Sequence, residues 1–266
     1  MPPVRRPGVF HIHVMKTGGT SLTRMFHAHF RRSLRYPTAE DPAARRRQKT
    51  APAMLLELTP EERARFSFVS AHMSAWIAEV VFPDLLRMTV LRDPVERTIS
   101  HLRQIADLPQ APDDLEAIYE DPVWRSRLLD HQVQVFAAAP PERLATRDER
   151  QAYDPARYAE PERSQLRQQL WAAFTTAIGE PQVIDEASYA EAAARLDRVD
   201  EVGVTEQLEV VMARVAARLG WERSDIRRDN VSTPRDDIPA GLRDRIEREN
   251  RWDQRLYERA LARQAG

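Results

Sequence analysis

The feature that most constrains this chain is a local order that repeats. Short apolar runs at residues 9–14, 66–70 and 88–91 each lead, within a few residues, into a helical pattern. In the first run Phe10, Ile12 and Val14 alternate with Val9, His11 and His13, which is the period of a strand. Leu22, Met25, Phe26, His29 and Phe30 then recur at helical spacing and predict a helix over residues 20–34. Residues 74–82 read as a crossover helix after the second run. A further run, Glu201-Val202-Gly203-Val204, precedes an amphipathic helix to Leu219 with Thr205 as its cap. Strands alternating with helices at this spacing imply a parallel sheet with right-handed crossovers. The expected fold is α/β: a three-layer, helix-rich fold with a mostly parallel central sheet of about five strands. A single domain over residues 1–266 is expected.

Local signals sharpen the boundaries. Thr59-Pro60-Glu61-Glu62 is a helix start inside a stretch at 55–65. Asp93-Pro94-Val95-Glu96 places an N-cap, a proline at the first helical position and a capping-box glutamate directly after the third strand, so the strand–helix junction falls at Arg92. Residues 107–181 are rich in proline and carry helical stretches at 123–138 and 161–178. A last helix is expected over residues 239–263.

In a parallel sheet the ligand crevice lies beyond the carboxyl ends of the strands. Three chemically apt features fall there: the loop Met15-Lys16-Thr17-Gly18-Gly19-Thr20-Ser21, then His72, then Arg92. Lys16 stands out because only two of the 40 basic residues, Lys16 and Lys49, are lysines. Lysine is a compact point charge and arginine a planar fork, so a site needing one small cation beside an oxyanion selects lysine. The glycines allow close backbone approach, and the helix N-terminus after them favours a phosphate. Taken by itself, Lys-Thr-Gly-Gly reads equally as a plain glycine turn with a threonine cap.

Composition closes off several functions. The chain has no Cys, which excludes disulfides, thiol catalysis and Cys-ligated metal. Its net charge of −1 argues against a whole-surface nucleic-acid or membrane binder. Arg31-Arg32 with Arg35, and Arg45-Arg46-Arg47, read as solvated helix face and loop. No apolar run reaches the roughly 18 residues a membrane helix needs. Residues 1–7 lack the apolar core of a signal peptide, so a cytoplasmic protein is expected. The Arg, Ala and Pro richness points to a bacterial source.

Lysine precedes the glycines here, whereas Walker A loops end Gly-Lys-Ser/Thr. This order resembles the P-loop sulfotransferases that use 3′-phosphoadenosine 5′-phosphosulfate, in particular their carbohydrate O-sulfotransferase branch. The first likeness is His13-Val14-Met15-Lys16-Thr17-Gly18-Gly19-Thr20-Ser21-Leu22. The second is Leu91-Arg92-Asp93-Pro94 followed by Ser100, eight residues after the arginine. Ser70-Ala71-His72-Met73-Ser74, Val202-Gly203-Val204-Thr205-Glu206 and Asp253-Gln254-Arg255-Leu256-Tyr257 extend it. Met15, Ala71 and Ala75 stand where the family has proline, glycine and an aromatic residue. The likeness covers residues 9–35, 66–104 and 199–260, and leaves 107–181 unmatched.

The resemblance implies sulfuryl transfer to a hydroxyl on a sugar or small metabolite, with no metal required. It implies that the loop backbone with Thr17, Gly18, Gly19, Thr20 and Ser21 holds the 5′-phosphosulfate. Lys16 would stabilise charge on the bridging oxygen, and Arg92 with Ser100 would bind the 3′-phosphate. His72 is the candidate general base. Ser232 and Thr233 are candidates for closing over the nucleotide, and residues 107–181 for building the acceptor side. Two rival readings are a kinase-like phosphotransferase and a non-catalytic nucleotide-binding interaction protein.

Overall fold

The computed structural model of the chain describes residues 8–31, 35–36, 58–108, 111–112, 114–139, 184–221 and 238–265. Five strands form one sheet: β1 (Val9–Ile12), β2 (Arg35–Tyr36), β3 (Phe68–Ala71), β4 (Leu86–Leu91) and β5 (Glu201–Val204). Their order is β2-β3-β1-β4-β5, and every pairing is parallel. The described helices are α1 (Gly19–His29), α2 (Pro60–Arg63), α3 (Trp76–Val81), α4 (Pro94–Ala106), α5 (Leu115–Glu120) and α6 (Pro122–Leu128). They continue with α7 (His131–Ala137), α8 (Glu186–Asp197), α9 (Leu208–Leu219), α10 (Ala240–Glu249) and α11 (Arg251–Ala265). None of them is long and apolar enough to cross a membrane.

Strand alternation divides the core in two. Val9, Phe68, Met88 and Val90 pack against Leu22 and Phe26 of α1 and Val211 and Val215 of α9. Phe10, Ile12, Val69, Leu91, Val202 and Val204 pack on the other side against α3, α7, α8 and α11. Successive strand residues point to opposite faces, so a sheet covered on both sides needs apolar residues at both parities. The result is the expected three layers. A third apolar cluster joins α4, α5, α6 and α10 through Ile99, Leu102, Tyr119, Leu128 and Ile246.

Several boundaries differ from those the sequence predicts, each for a local reason. β1 ends at Ile12, not residue 14; its last pairs are with Ala71 of β3 and Thr89 of β4. α1 ends at His29, not residue 34; Arg35 folds back and donates to the carbonyls of Phe30 (2.6 Å) and His27 (2.5 Å). Of the stretch at 55–65 only α2 forms, and Thr59 and Glu62 close a reciprocal capping box at its start. At α4 the box is half made. Asp93 accepts from the Glu96 N–H at 3.0 Å, but the Glu96 carboxylate pairs with Arg243 at 2.9 Å. Thr205 does not cap α9. Its hydroxyl donates to Leu91 O at 3.1 Å, and Thr205–Gln207 form a 3-10 turn first.

The predicted helices over 123–138 and 239–263 are each broken in two, at Asp130 and at Asn250. These breaks face each other. Asp130 has φ 40° and makes no cap to its own helix. Its carboxylate instead accepts from the N–H groups of Trp252 (3.0 Å) and Asp253 (2.9 Å), in the first turn of α11. Asp253 returns the contact, accepting from the N–H groups of Gln132 (3.1 Å) and Val133 (2.8 Å) in the first turn of α7. The Asn250 amide oxygen takes the Asp130 N–H at 2.8 Å. Each helix start thus borrows its N-cap from the other, satisfying donors that a helix cannot satisfy itself.

Candidate active site

β1 lies in the centre of the sheet. From it the chain moves out to β2 and β3 on one side, then crosses to β4 and β5 on the other. The carboxyl end of β1 is therefore a topological switch point, where a crevice opens between diverging loops. The Lys16 loop, His72 and Arg92 all emerge at this edge, after β1, β3 and β4.

The loop is wound tightly. Met15 and Thr17 are buried, and Lys16 is half-buried. Lys16 has φ 68° and Gly18 φ 79°, both left-handed. That conformation suits Gly18 but strains a lysine, and such strain persists where the surroundings hold it in place. The Thr17 hydroxyl donates to Val14 O at 3.0 Å, so its donor is used within the loop. No side chain caps α1. The N–H groups of Ser21 (3.1 Å) and Leu22 (3.3 Å) return to Gly18 O, which leaves the first-turn N–H groups of Gly19 and Thr20 without an intrahelical partner. Thr20 is exposed and Ser21 buried. A Cβ on residue 19 would sit 1.6 Å from His13 Nε2, so only glycine lets the helix start pack against that ring.

Two cations meet here. The Arg92 guanidinium donates to Lys16 O at 3.3 Å, tying the end of β4 to the strained residue. No carboxylate among the described residues forms an ion pair with either Lys16 or Arg92. The Lys16 ammonium is held below its ordinary pKa by burial first and by Arg92 second, with Asp107 opposing. Neighbouring half-buried cations that no carboxylate of the described residues pairs with make a ready site for an anion. Ser100 lies on α4, half-buried, and its hydroxyl has no partner among the described residues.

Three imidazoles stack behind the loop. His11 and His13 lie 4.8 Å apart by ring centroids, and His13 and His72 lie 4.0 Å apart. His11 is buried against Ser70 Oγ at 3.0 Å, and burial, then His72, lowers its pKa to about 3. His13 is pushed well below its ordinary value by burial, then by His72 and His11. His72, one residue beyond β3, is half-buried, with Nδ1 3.0 Å from His13 O. A carbonyl can only accept, so Nδ1 carries the hydrogen and Nε2 is the basic nitrogen.

Three residues beside the loop, His101, His131 and Gln132, are not among those the sequence motifs point to. The structure buries both histidines beside Arg97 and Arg127. Burial, then Arg97, holds both well below the ordinary imidazole range, and His101 feels Lys16 and His72 as well. They are neutral dipoles beside the loop. The Gln132 amide accepts from Arg92 N–H at 3.0 Å and donates to Arg92 O at 2.9 Å. A glutamine in a helix first turn carries no local signal for such a contact. His101 was findable, one turn beyond Arg97 on the buried face of α4. Ser232, Thr233, the stretch 140–183 and the helix expected at 161–178 lie outside the described residues.

No protein-family model matches the chain, and no curated relative matches it significantly. Among solved structures, a sulfotransferase from Alicyclobacillus acidocaldarius aligns over 99% of this chain and 100% of its own, at 16% identity and a TM-score of 0.41. A superposition that low says nothing of what this chain binds.

Proposed function

We propose that the chain is an O-sulfotransferase that moves a sulfuryl group from 3′-phosphoadenosine 5′-phosphosulfate to a hydroxyl of a carbohydrate or small-molecule acceptor. The observation that carries this reading is the convergence of Lys16 and Arg92 on an uncapped helix N-terminus, with no carboxylate of the described residues paired to either. A donor with phosphates at both ends fits such a site. Gly18, Gly19, Thr20 and the Thr17 main chain offer N–H groups for the 5′ end, with Ser21 beside them. Arg92 and Ser100 lie along β4 and α4 for the 3′-phosphate, where a guanidinium fork suits a dianion.

The bound donor supplies a sulfuryl group whose leaving oxygen belongs to a phosphate. Lys16 stabilises the charge that grows on that oxygen, and burial strengthens the effect by excluding water. His72 Nε2 takes the proton of the acceptor hydroxyl as the new S–O bond forms and the old one breaks. The His13 carbonyl fixes the tautomer this requires. The segment 107–181, of which α5 to α7 are the described helices, would build the acceptor side. Ser232 and Thr233 would close over the nucleotide.

Calorimetry without Mg²⁺ tests the donor site: adenosine 3′,5′-bisphosphate should bind and be preferred to ATP. Incubation with labelled phosphosulfate donor and a metabolite pool should yield a sulfated product. Preference for Mg-ATP would replace the reading with a kinase-like one. Tight bisphosphate binding without transfer to any acceptor would leave a nucleotide-binding interaction protein.

A further inference from the structure

The main chain of Arg92 has unusual dependence on one side chain. Leu91 is the last residue of β4 and still pairs in register with Val204 of β5. Arg92 lies beyond that ladder and before the first helical residue, Pro94. Its N–H and C=O are both taken by the single amide of Gln132, at 3.0 Å and 2.9 Å. The amide pairs with Arg92 as a neighbouring strand would. It thereby restrains the backbone that carries the guanidinium, which reaches Lys16 O at 3.3 Å. Gln132 is itself held. Its own N–H is capped by Asp253 of α11 at 3.1 Å, and Asp253 lies opposite the buried Arg97, 4.0 Å from its Nε. Gln132 is fully buried, so water cannot stand in for either bond.

We propose that Gln132 is a positioning residue: it clamps the Arg92 backbone so that the guanidinium converges with Lys16, and through Asp253 it couples the C-terminal helix to the anion site. A contact serving only to hold α7 to the sheet would not need to use both polar ends on one residue at the lip of the crevice. The consequence for ligand binding rests on the nucleotide-donor reading above; the clamp itself does not.

Glutamate in this place makes a selective test. Ionised Gln132→Glu accepts from Arg92 N–H but sets a carboxylate oxygen against Arg92 O. Protonated, it is an acceptor and a donor again, like the amide. Affinity for adenosine 3′,5′-bisphosphate is measured by calorimetry from about pH 8 to about pH 5 for wild type, Gln132→Ala and Gln132→Glu, alongside thermal midpoints. The expected result is a loss of about tenfold or more in both variants at the alkaline end. Gln132→Glu should then return toward wild type as pH falls, while Gln132→Ala stays weak relative to wild type throughout. A Gln132→Glu affinity that follows wild type, or follows Gln132→Ala, at every pH overturns the proposal. If wild type binds no bisphosphate, the donor reading fails and hydrogen exchange decides the clamp. Faster exchange at the Arg92 amide in Gln132→Ala, with β4 still protected, supports it; unchanged exchange at Arg92 overturns it.

Discussion

Two polar regions meet at the carboxyl edge of the sheet, and they handle charge in opposite ways. Around Asp130 and Asp253 every carboxylate oxygen contact has a reason in the fold: two helix starts are cross-capped and the buried Arg97 has a counter-charge. Around Lys16 two cations lie together with no ion-pair partner among the described residues, on a left-handed lysine and an uncapped helix. Burying charge is costly unless it is paired and hydrogen-bonded. The first region supplies a counter-charge and helix caps from within the chain. In the second no carboxylate of the described residues does so, which is what makes it a candidate anion site.

The sharpest way to break this contrast is to damage the satisfied region. Asp253→Ala should cost about 3–5 kcal/mol in denaturant unfolding, because it strands Arg97 and uncaps α7. A cost below about 1 kcal/mol would mean that the cross-capping is ornamental. Lys16→Ala should do the reverse, leaving stability near wild type while lowering the rate of transfer by about 10²–10³-fold. Arg92→Ala should weaken bisphosphate binding by about 1.5–3 kcal/mol, the worth of a charge-assisted bond, with a smaller effect on the rate. If Lys16→Ala destabilised the fold as much as Asp253→Ala, the division into scaffold and site would fail.

The two regions also differ in how far the sequence announced them. The Lys16 loop, His72 and Arg92 were legible because each follows an apolar run directly, and strand ends in a parallel sheet gather at one edge. Five parallel strands and two covered faces followed from the same periodicity. The cross-caps were not legible. Asp130 lies inside a stretch that is helical by pattern, and only the distant Trp252 and Asp253 N–H groups explain why it turns left-handed there. Asn250 breaks the last predicted helix for the same nonlocal reason. Gln132 was invisible because its partner is 40 residues away and is main chain. Sequence periodicity reports local burial; it carries nothing about a carboxylate that leaves its own helix to cap another.

Acid should act mainly through the buried imidazoles. His11, His13, His101 and His131 all titrate below the ordinary 6.5, His11 at about 3, chiefly because burial penalises their charged forms. An unfolded chain binds those protons more readily, so their contribution is whole above about pH 6.5 and is lost as pH falls below it. Asp130 runs the other way: burial and Asp253 raise it from 3.8 to about 7, so its contribution is whole below 3.8 and is lost as pH rises to about 7. Burial raises Asp253 as well. Four imidazoles outweigh these two carboxyls, and the thermal midpoint should fall from about pH 6.5 downward. A midpoint that rose steadily to pH 4 would show that the imidazoles are not buried as neutral groups.

The smallest effects make the finest cut, because two hydroxyls on the same helix fall on opposite sides of the contrast. Thr98 is buried; its hydroxyl donates to Leu128 O at 3.3 Å and accepts from Arg97 at 2.9 Å. Ser100 is half-buried and has no partner among the described residues. Thr98→Val keeps the shape and removes the hydrogen bonds, so it should cost about 1 kcal/mol of stability and leave bisphosphate affinity near wild type. Ser100→Ala removes a hydroxyl that the fold does not use, so stability should hold while affinity falls by about tenfold. Both readouts are needed for both variants. If Ser100→Ala lost stability and no affinity, the hydroxyl would belong to the scaffold, and the anion site would end at Arg92.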